Sequence, residues 1–316
     1  MLRYELPNVP TNWDQELTEQ KGLQVKTYSY FEYDEVKSAL QKSIRRGNEM
    51  EAIQWCLEGF LTNDICRTNV WNRLIVISME DVGLADINAV TVVYKLSQDK
   101  DNIQSIITAV LYLARSLKTR VNDWAIHMYC EFNNQEYNKN LEPPETLKVY
   151  LIQNLKKKDL FKSLWYIKAL CHTPEKVTGK YKNAQIYILE TFDELYPKNK
   201  YIATLYELAM SKNFRWNEKS RLIHTQICHM VIYDLIPKDI VSTIEPDQKL
   251  QQLADDHKLR KNLLGMPDYA VDKHTLRGRQ MGKNIKDFME SGGVLINEDQ
   301  KWKELSKMYL SMCELH

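Results

Sequence analysis

The polar residues best equipped to do chemistry together lie late in the chain, in DYAVDKHTLRGRQMGK (268–283). Asp272, His274 and Thr275 precede Arg277, Arg279 and Lys283, while Gly278 and Gly282 permit close backbone approach. Guanidinium groups and a lysine near a histidine donor suit an anion clamp: the cations meet a phosphate and His274 adds a third donor. The structural alternative is a loop in which Asp272 caps a helix beginning near Thr275 and the basic residues face water. A third option, an enzyme centred on His274, lacks a nucleophile beside the Asp272–His274 pair. Residues 278–284, GRQMGKN, come nearest to a phosphate-binding loop. Only three residues separate the two glycines where four are needed, and Asn284 stands where Ser or Thr must reach magnesium. ATP hydrolysis by this chain alone is therefore not expected, and no catalytic residue, cofactor or metal site is assigned.

Two further basic turns, Arg45–Arg46 and Lys156–Lys157–Lys158, close helices, where the helix dipole favours cations in any case. Sharing a face with Arg277, Arg279 and Lys283, they would attract a nucleic-acid backbone without reading its sequence. Glu80 and Asp81 are neighbours on a helix and diverge by about 100°. With Gly83 and Asp86 they are expected to build a structural turn rather than converge on a metal. His224 and His229 lie five residues apart and miss the four-residue spacing of a zinc helix, so satisfied, semi-buried histidines are expected.

The elements that must position these groups read as helices. Scarce Gly and Pro and long runs of 3.6-residue periodicity favour an all-α protein built of helical hairpins. Residues 1–30 form an extended leader, broken by Pro7 and Pro10 and pinned by Trp13 and Phe31. From Tyr33, a helix with the stripe Val36, Leu40, Ile44 starts under an Asp34 cap and ends at Arg45–Arg46–Gly47. Ile53, Leu57 and Phe60 mark the next helix, and Val70, Leu74 and Ile77 a third, closed at Gly83. Further helices follow at about 87–97, 103–116 and 122–131. The polar, proline-closed stretch 133–145 is the candidate domain boundary between a collar-like module (31–132) and a second module (146–245).

The second module restarts the pattern of the first. At an offset of 111 residues, Leu147, Leu151 and Leu155 fall on Val36, Leu40 and Ile44. Lys156–Lys157–Lys158 fall on Arg45–Arg46–Gly47, and Tyr166 falls on Trp55. This reads as a possible internal duplication of a helical hairpin. A basic, glycine-punctuated tail with a terminal helix occupies 246–316.

Three pieces of the first module, KSIRRGNEMEAIQW (42–55), NRLIVISMEDVGLAD (72–86) and AVLYLARSLKTRVNDWA (109–125), carry a family likeness. In wording, order and spacing they resemble the helical region behind the ATPase core of the MgsA/RarA family of AAA+ proteins, relatives of clamp loaders. Met79 and Ile87 depart from it, standing where that family usually has a small residue and a proline. No ATPase domain is expected ahead of these pieces. The resemblance implies an assembly module that has kept subunit association and lacks the motor. The implied function is a non-catalytic replication or repair accessory factor, working by self-association or by docking a replication or repair protein, with DNA as a candidate contact. A stand-alone nucleic-acid-binding protein is the alternative.

Balanced charge, formally +1, gives no general pull toward nucleic acid, so such contacts must come from local patches. The six cysteines show no C-x-x-C spacing and sit mostly in apolar helical runs, which suits reduced thiols and an intracellular protein. The chain opens without an apolar targeting segment and contains no membrane-length apolar run, so no membrane partner is expected.

Overall fold

A computed structural model describes residues 25–131, 142–172, 185–211, 219–241, 244, 250–259, 261 and 263–314. The leader up to residue 24, Trp13 included, and most of the 133–145 stretch lie outside the described residues. The fold is all-α. Among the described residues there is no strand, only the isolated bridges Lys26–Glu32 and Lys118–Glu298.

Contacts divide the chain into two compact units, each assembled from separated segments. The first takes the described residues of 1–78, 92–118 and 243–298. Its core is the hairpin of α1 (Tyr33–Arg46) and α2 (Glu49–Thr62), joined by α3 (Asp64–Ile77), the latter part of α4 (Ala89–Leu96) and α5 (Ile103–Arg115). The expected stripes meet here: Val36, Leu40 and Ile44 are buried, as are Ile53, Leu57, Phe60, Val70 and Leu74. Helix ends are fixed locally. Asn63 accepts the Cys66 amide at the start of α3, and Asn102 accepts the Ser105 amide at the start of α5.

The α1 cap departs from expectation. Its N-cap residue, Glu32, makes no side-chain cap bond; one Asp34 oxygen accepts the neighbouring Glu35 amide (2.9 Å), and the other is engaged as described below. Before α1 the chain makes a tight turn at residues 27–31, with Tyr30 at φ 69°. The Ser29 amide donates to Glu58 (2.9 Å), and Phe31 packs edge-on against Trp55 (5.2 Å).

The second unit takes the described residues of 79–91, 119–242 and 299–316. It holds α6 (Val121–Glu131), α7 (Pro144–Lys156), α8 (Leu160–His172), α9 (Gln185–Leu195), α10 (Lys200–Met210) and α11 (Lys219–Ile232). Beyond the first unit's α12 (Gln251–Lys258), α13 (Leu276–Gln280) and short α14 (Ile285–Asp287), the terminal α15 (Gln300–Glu314) returns to the second unit. Within it Trp302 donates to the Leu84 carbonyl (3.1 Å) and Tyr309 pairs with His229 (2.8 Å).

These units differ from the sequence-derived boundaries. The collar-like stretch 31–132 is shared between both units, and so is the tail 246–316. Side-chain partners from distant segments explain the cut. After α3 the helix widens into a π turn (Ser78–Val82) and then tightens into a 3-10 turn (Gly83–Ala85). The turn is claimed by second-unit groups: Asn122 Nδ2 donates to the Met79 carbonyl (3.0 Å) and also reaches Gln226, and the Thr119 amide donates to the Asp81 carbonyl.

The two hairpins aligned by the 111-residue offset also share their closing bonds. Gly47 closes α1 at φ 68°, with the Gly47 amide bonded to the Ile44 carbonyl and the Asn48 amide to that of Ser43. At positions 111 residues on, the same bonds recur: Lys158 sits at φ 56°, its amide on Leu155 and that of Asp159 on Asn154. Leu147, Leu151, Leu155 and Leu164 are buried like their counterparts Val36, Leu40, Ile44 and Ile53.

Candidate functional site

Residues 263–298 bind along the α1–α2 hairpin as an irregular strap, and the 268–283 constellation is part of it. Leu264 exchanges two hydrogen bonds with the Gln54 side chain (2.7 and 3.0 Å). The Tyr269 hydroxyl meets Ser43 (2.9 Å) and donates to Glu51, while Ser38 donates to the Ala270 carbonyl (2.6 Å). Further along, the Leu276 amide donates to Asp34 (2.7 Å).

Its centre is a buried ion pair. Lys42 Nζ lies 2.7 Å from Asp272 Oδ2, and each side chain is only 4% exposed. Burial pulls the Lys42 pKa down to about 8 against the opposing pull of Asp272. Burial alone would raise the Asp272 pKa; hydrogen bonds from His274 and Lys42 outweigh it and hold the carboxyl well below the usual range. Asp272 therefore does not cap the following helix. Thr275 does, accepting the Gly278 amide (3.1 Å) while donating to the Asp272 carbonyl (3.0 Å).

Two glycines make this packing possible. A Cβ on Gly278 would lie 1.8 Å from the Asp272 carbonyl oxygen, and one on Gly292 would lie 2.9 Å from Lys42 Cε. Close backbone approach is real at Gly278, and it serves Asp272. Gly282, at φ 72°, faces open space and supplies the left-handed turn.

The nine basic or histidine groups singled out in the sequence separate into three sets. Arg45 and Arg46 fasten the strap: Arg45 donates to the Gly292 carbonyl (2.8 Å) and Arg46 to that of Ser291 (2.7 Å). Arg45 is buried beside the Phe288 ring, and the Arg46 guanidinium lies 3.9 Å from the Tyr269 ring centre. In the structure both serve the strap. Arg277 grips Glu35 with two nitrogens (2.8 and 2.9 Å), a bidentate pair that occupies its fork.

A second set stands outward on the strap. The His274 ring meets Asp272 through Nδ1 (3.1 Å) and packs edge-on to Phe288, yet its side chain is 58% exposed. Arg279 is exposed and donates to the His274 carbonyl (3.1 Å), and Lys283 is half-buried. A carboxylate-backed histidine has the form of a general base, but the neighbouring Thr275 hydroxyl is buried and already bonded on both sides. The arrangement supplies donors and positive charge, not an activated nucleophile.

The third set, Lys156, Lys157 and Lys158, belongs to the other unit. All three are exposed, and Lys158 pairs with Asp234.

The turn residues Glu80, Asp81, Gly83 and Asp86 have structural surroundings. Arg120, buried against the Trp124 ring, lies near Asp81 (3.7 Å) and Glu80 (3.8 Å) and is bonded to Asp123. Gly83 adopts φ 48° against Asn122, and Asp86 accepts the Asn88 amide. His224 and His229 are fully buried rather than semi-buried, and burial lowers their pKa to about 3 and about 4. No group of three His, Cys, Asp or Glu side chains placed to hold a metal occurs among the described residues.

Sequence reasoning missed Lys42, Asp34, Glu35 and Tyr269 as strap partners. Local spacing carries no signal for this, because each pairing joins the α1–α2 hairpin to a strap residue more than 200 positions away in the chain. No protein-family model, curated protein or solved structure matches the chain.

Proposed function

We propose that this chain is a non-catalytic accessory factor, of the clamp-loader-like kind its helical module resembles, which acts in replication or repair by docking nucleic acid. The observation that carries this reading is the division of labour within the strap. Lys42, Arg45, Arg46 and Arg277 are spent on holding it, and the fixed scaffold presents His274, Arg279 and Lys283 outward. Cations on a rigid frame suit a phosphate backbone, whose binding needs charge and position but no sequence readout.

The pieces that carry the family resemblance also pack on one another. In the first unit Gly47 lies against the Ala114 carbonyl and Arg115 pairs with Glu49 (2.8 Å). In the second, the Glu80–Asp81 turn lies against Arg120. Self-association receives less support. The large apolar side chains exposed in the described part of 42–130 are Met50 on α2, Ile65 on α3 and Leu117 in the loop after α5. No helix among the described residues is long and apolar enough to cross a membrane. The buried free thiols of Cys56, Cys66 and Cys228 fit an intracellular setting.

Fluorescence anisotropy with labelled DNA across a salt series tests the reading. Arg279→Ala with Lys283→Ala should weaken duplex binding for unrelated sequences alike and flatten the log–log salt slope by about two units. Unchanged binding by this variant would remove the strap from the interface. Metal-dependent ATP turnover by the pure protein, lost on mutating one of its own residues, would contradict the non-catalytic assignment.

A further inference from the structure

The second hairpin carries a surface that the strap does not account for. Helices α7 and α8 run antiparallel, joined by a turn at residues 157–159. Near the turn, Lys157 projects from the end of α7 and Lys162 from the first turns of α8, the latter 69% exposed. Tyr150, 37% exposed, lies seven residues before Lys157, two helical turns along α7. Tyr166 lies four residues after Lys162, on the same face of α8. The two rings meet across the hairpin with centroids 5.5 Å apart and planes inclined by 37°. Exposed Gln153 lies between Tyr150 and Lys157 on α7. The outward face thus reads as a pair of lysines at one end and a pair of tyrosines at the other.

We infer that this face of α7–α8 is a second nucleic-acid surface, which takes unpaired bases on Tyr150 and Tyr166 and phosphates at Lys157 and Lys162. The inference rests on the reading of nucleic acid as the partner and adds a preference for single strands. A ring face recognises the face of a base, which a duplex hides within its own stack and a single strand offers freely. Because every base has such a face, the contact tolerates any sequence.

The local charges agree. Asp159 lies 3.3 Å from Lys162 and Asp234 pairs with Lys158, whereas Lys156 and Lys157 have no carboxylate partner among the described residues. The Tyr166 ring also packs edge-on against that of Trp165, with centroids 5.0 Å apart. The first hairpin shows what the same positions look like when the fold itself uses them. There Trp55, the counterpart of Tyr166, is buried completely, and Arg45 and Arg46, the counterparts of Lys156 and Lys157, donate to strap carbonyls.

The test uses the full chain, a labelled oligothymidine of about 20 nucleotides and a duplex of similar length, with anisotropy read across a salt series. Replacing both Tyr150 and Tyr166 with Ala should weaken oligothymidine binding by about 10-fold or more and leave its salt slope unchanged, because stacking releases no counterions. Duplex binding should change by less than about 2-fold. Replacing both with Phe should retain single-strand binding, since the rings remain. Tyr150→Ala alone, at the more exposed ring, guards against misfolding of the double variant and should show a smaller loss in the same direction. Lys157→Ala should instead flatten the single-strand slope by about 0.7.

The inference fails if the Tyr150 and Tyr166 alanine variants bind oligothymidine as the parent does, or lose both substrates equally. If those variants are silent while Arg279→Ala with Lys283→Ala weakens binding, the strap reading stands and the tyrosine surface falls. A parent that binds neither substrate at low salt overturns both.

Discussion

The hairpins α1–α2 and α7–α8 end in the same left-handed cap and meet opposite fates. In α1–α2 the basic turn is covered: Arg45 and Arg46 donate to carbonyls of the strap. In α7–α8 the turn lysines reach solvent. The residue types match these roles. A planar guanidinium can bond a carbonyl and stack on Tyr269 or Phe288 at once, whereas an ammonium group on a flexible stem is more strongly hydrated. What a helix-terminal cation does is therefore decided by what packs over the turn, since both turns satisfy the dipole equally.

The largest expected effect comes from uncovering the first hairpin. Asp272→Ala leaves Lys42 buried without its counter-charge and should cost about 3–5 kcal/mol. Urea unfolding of the full chain measures this. Replacing Lys42 with Met in the same chain should recover part of the loss, because the orphaned charge is then gone. A loss below about 1 kcal/mol in the single variant would show that the strap is not clamped by this pair.

Acid should act next, through the second unit. His224 and His229 are held neutral by burial, with pKa values lowered to about 3 and about 4. Unfolded histidines titrate near 6.5, so below that pH the unfolded chain binds more protons than the folded one. Stability should fall as pH drops from 7 toward 4, by about 3–4 kcal/mol between pH 7 and pH 5 for the two together. Asp272 has the opposite protonation chemistry with the same acid outcome at lower pH. Its carboxyl titrates below its unfolded value, so its stabilisation is complete above about pH 4 and is lost as pH falls through the lower folded value. A urea midpoint that is flat between pH 7 and pH 5 would contradict the histidine assignment.

The smallest effects should come from exchanging the caps. Gly47→Lys places a side chain at φ 68° and should cost about 1 kcal/mol. Lys158→Gly relieves the same conformation, and should stabilise by about 0.5 kcal/mol after the entropy of the added glycine is counted. Thermal melts of the two variants should move in opposite directions. Shifts of the same sign would break the equivalence of the two turns.

The scaffold was more legible in the sequence than its fastenings. Val36, Leu40 and Ile44 spell out α1 because burial on one face imposes a helical period. Gly47 and Gly83 mark stops because each takes a positive φ that other residues resist. The Arg45–Arg46 turn looked free because its acceptors are backbone carbonyls, which leave no trace in residue type. Asp34 looked like a cap for the same local reason; one of its oxygens takes the adjoining Glu35 amide, and the other receives the Leu276 amide from the strap. The 133–145 stretch looked like a boundary by composition, yet each unit gathers separated segments of the chain, the second through pairings such as Trp302 with Leu84, which periodicity does not report.

The Lys42–Asp272 pair also sets an order of events during synthesis. Its two residues lie 230 positions apart, so the N-terminal hairpin emerges from the ribosome long before its counter-ion. Until the strap arrives, Lys42 must remain hydrated, and the groove that will hold it must stay open. The first unit can close only after most of the second has been translated. Contacts of such long range slow folding through the entropy of loop closure. The nascent hairpin thus spends its early life with its basic edge uncovered, and completion of the strap is a late, chain-spanning step.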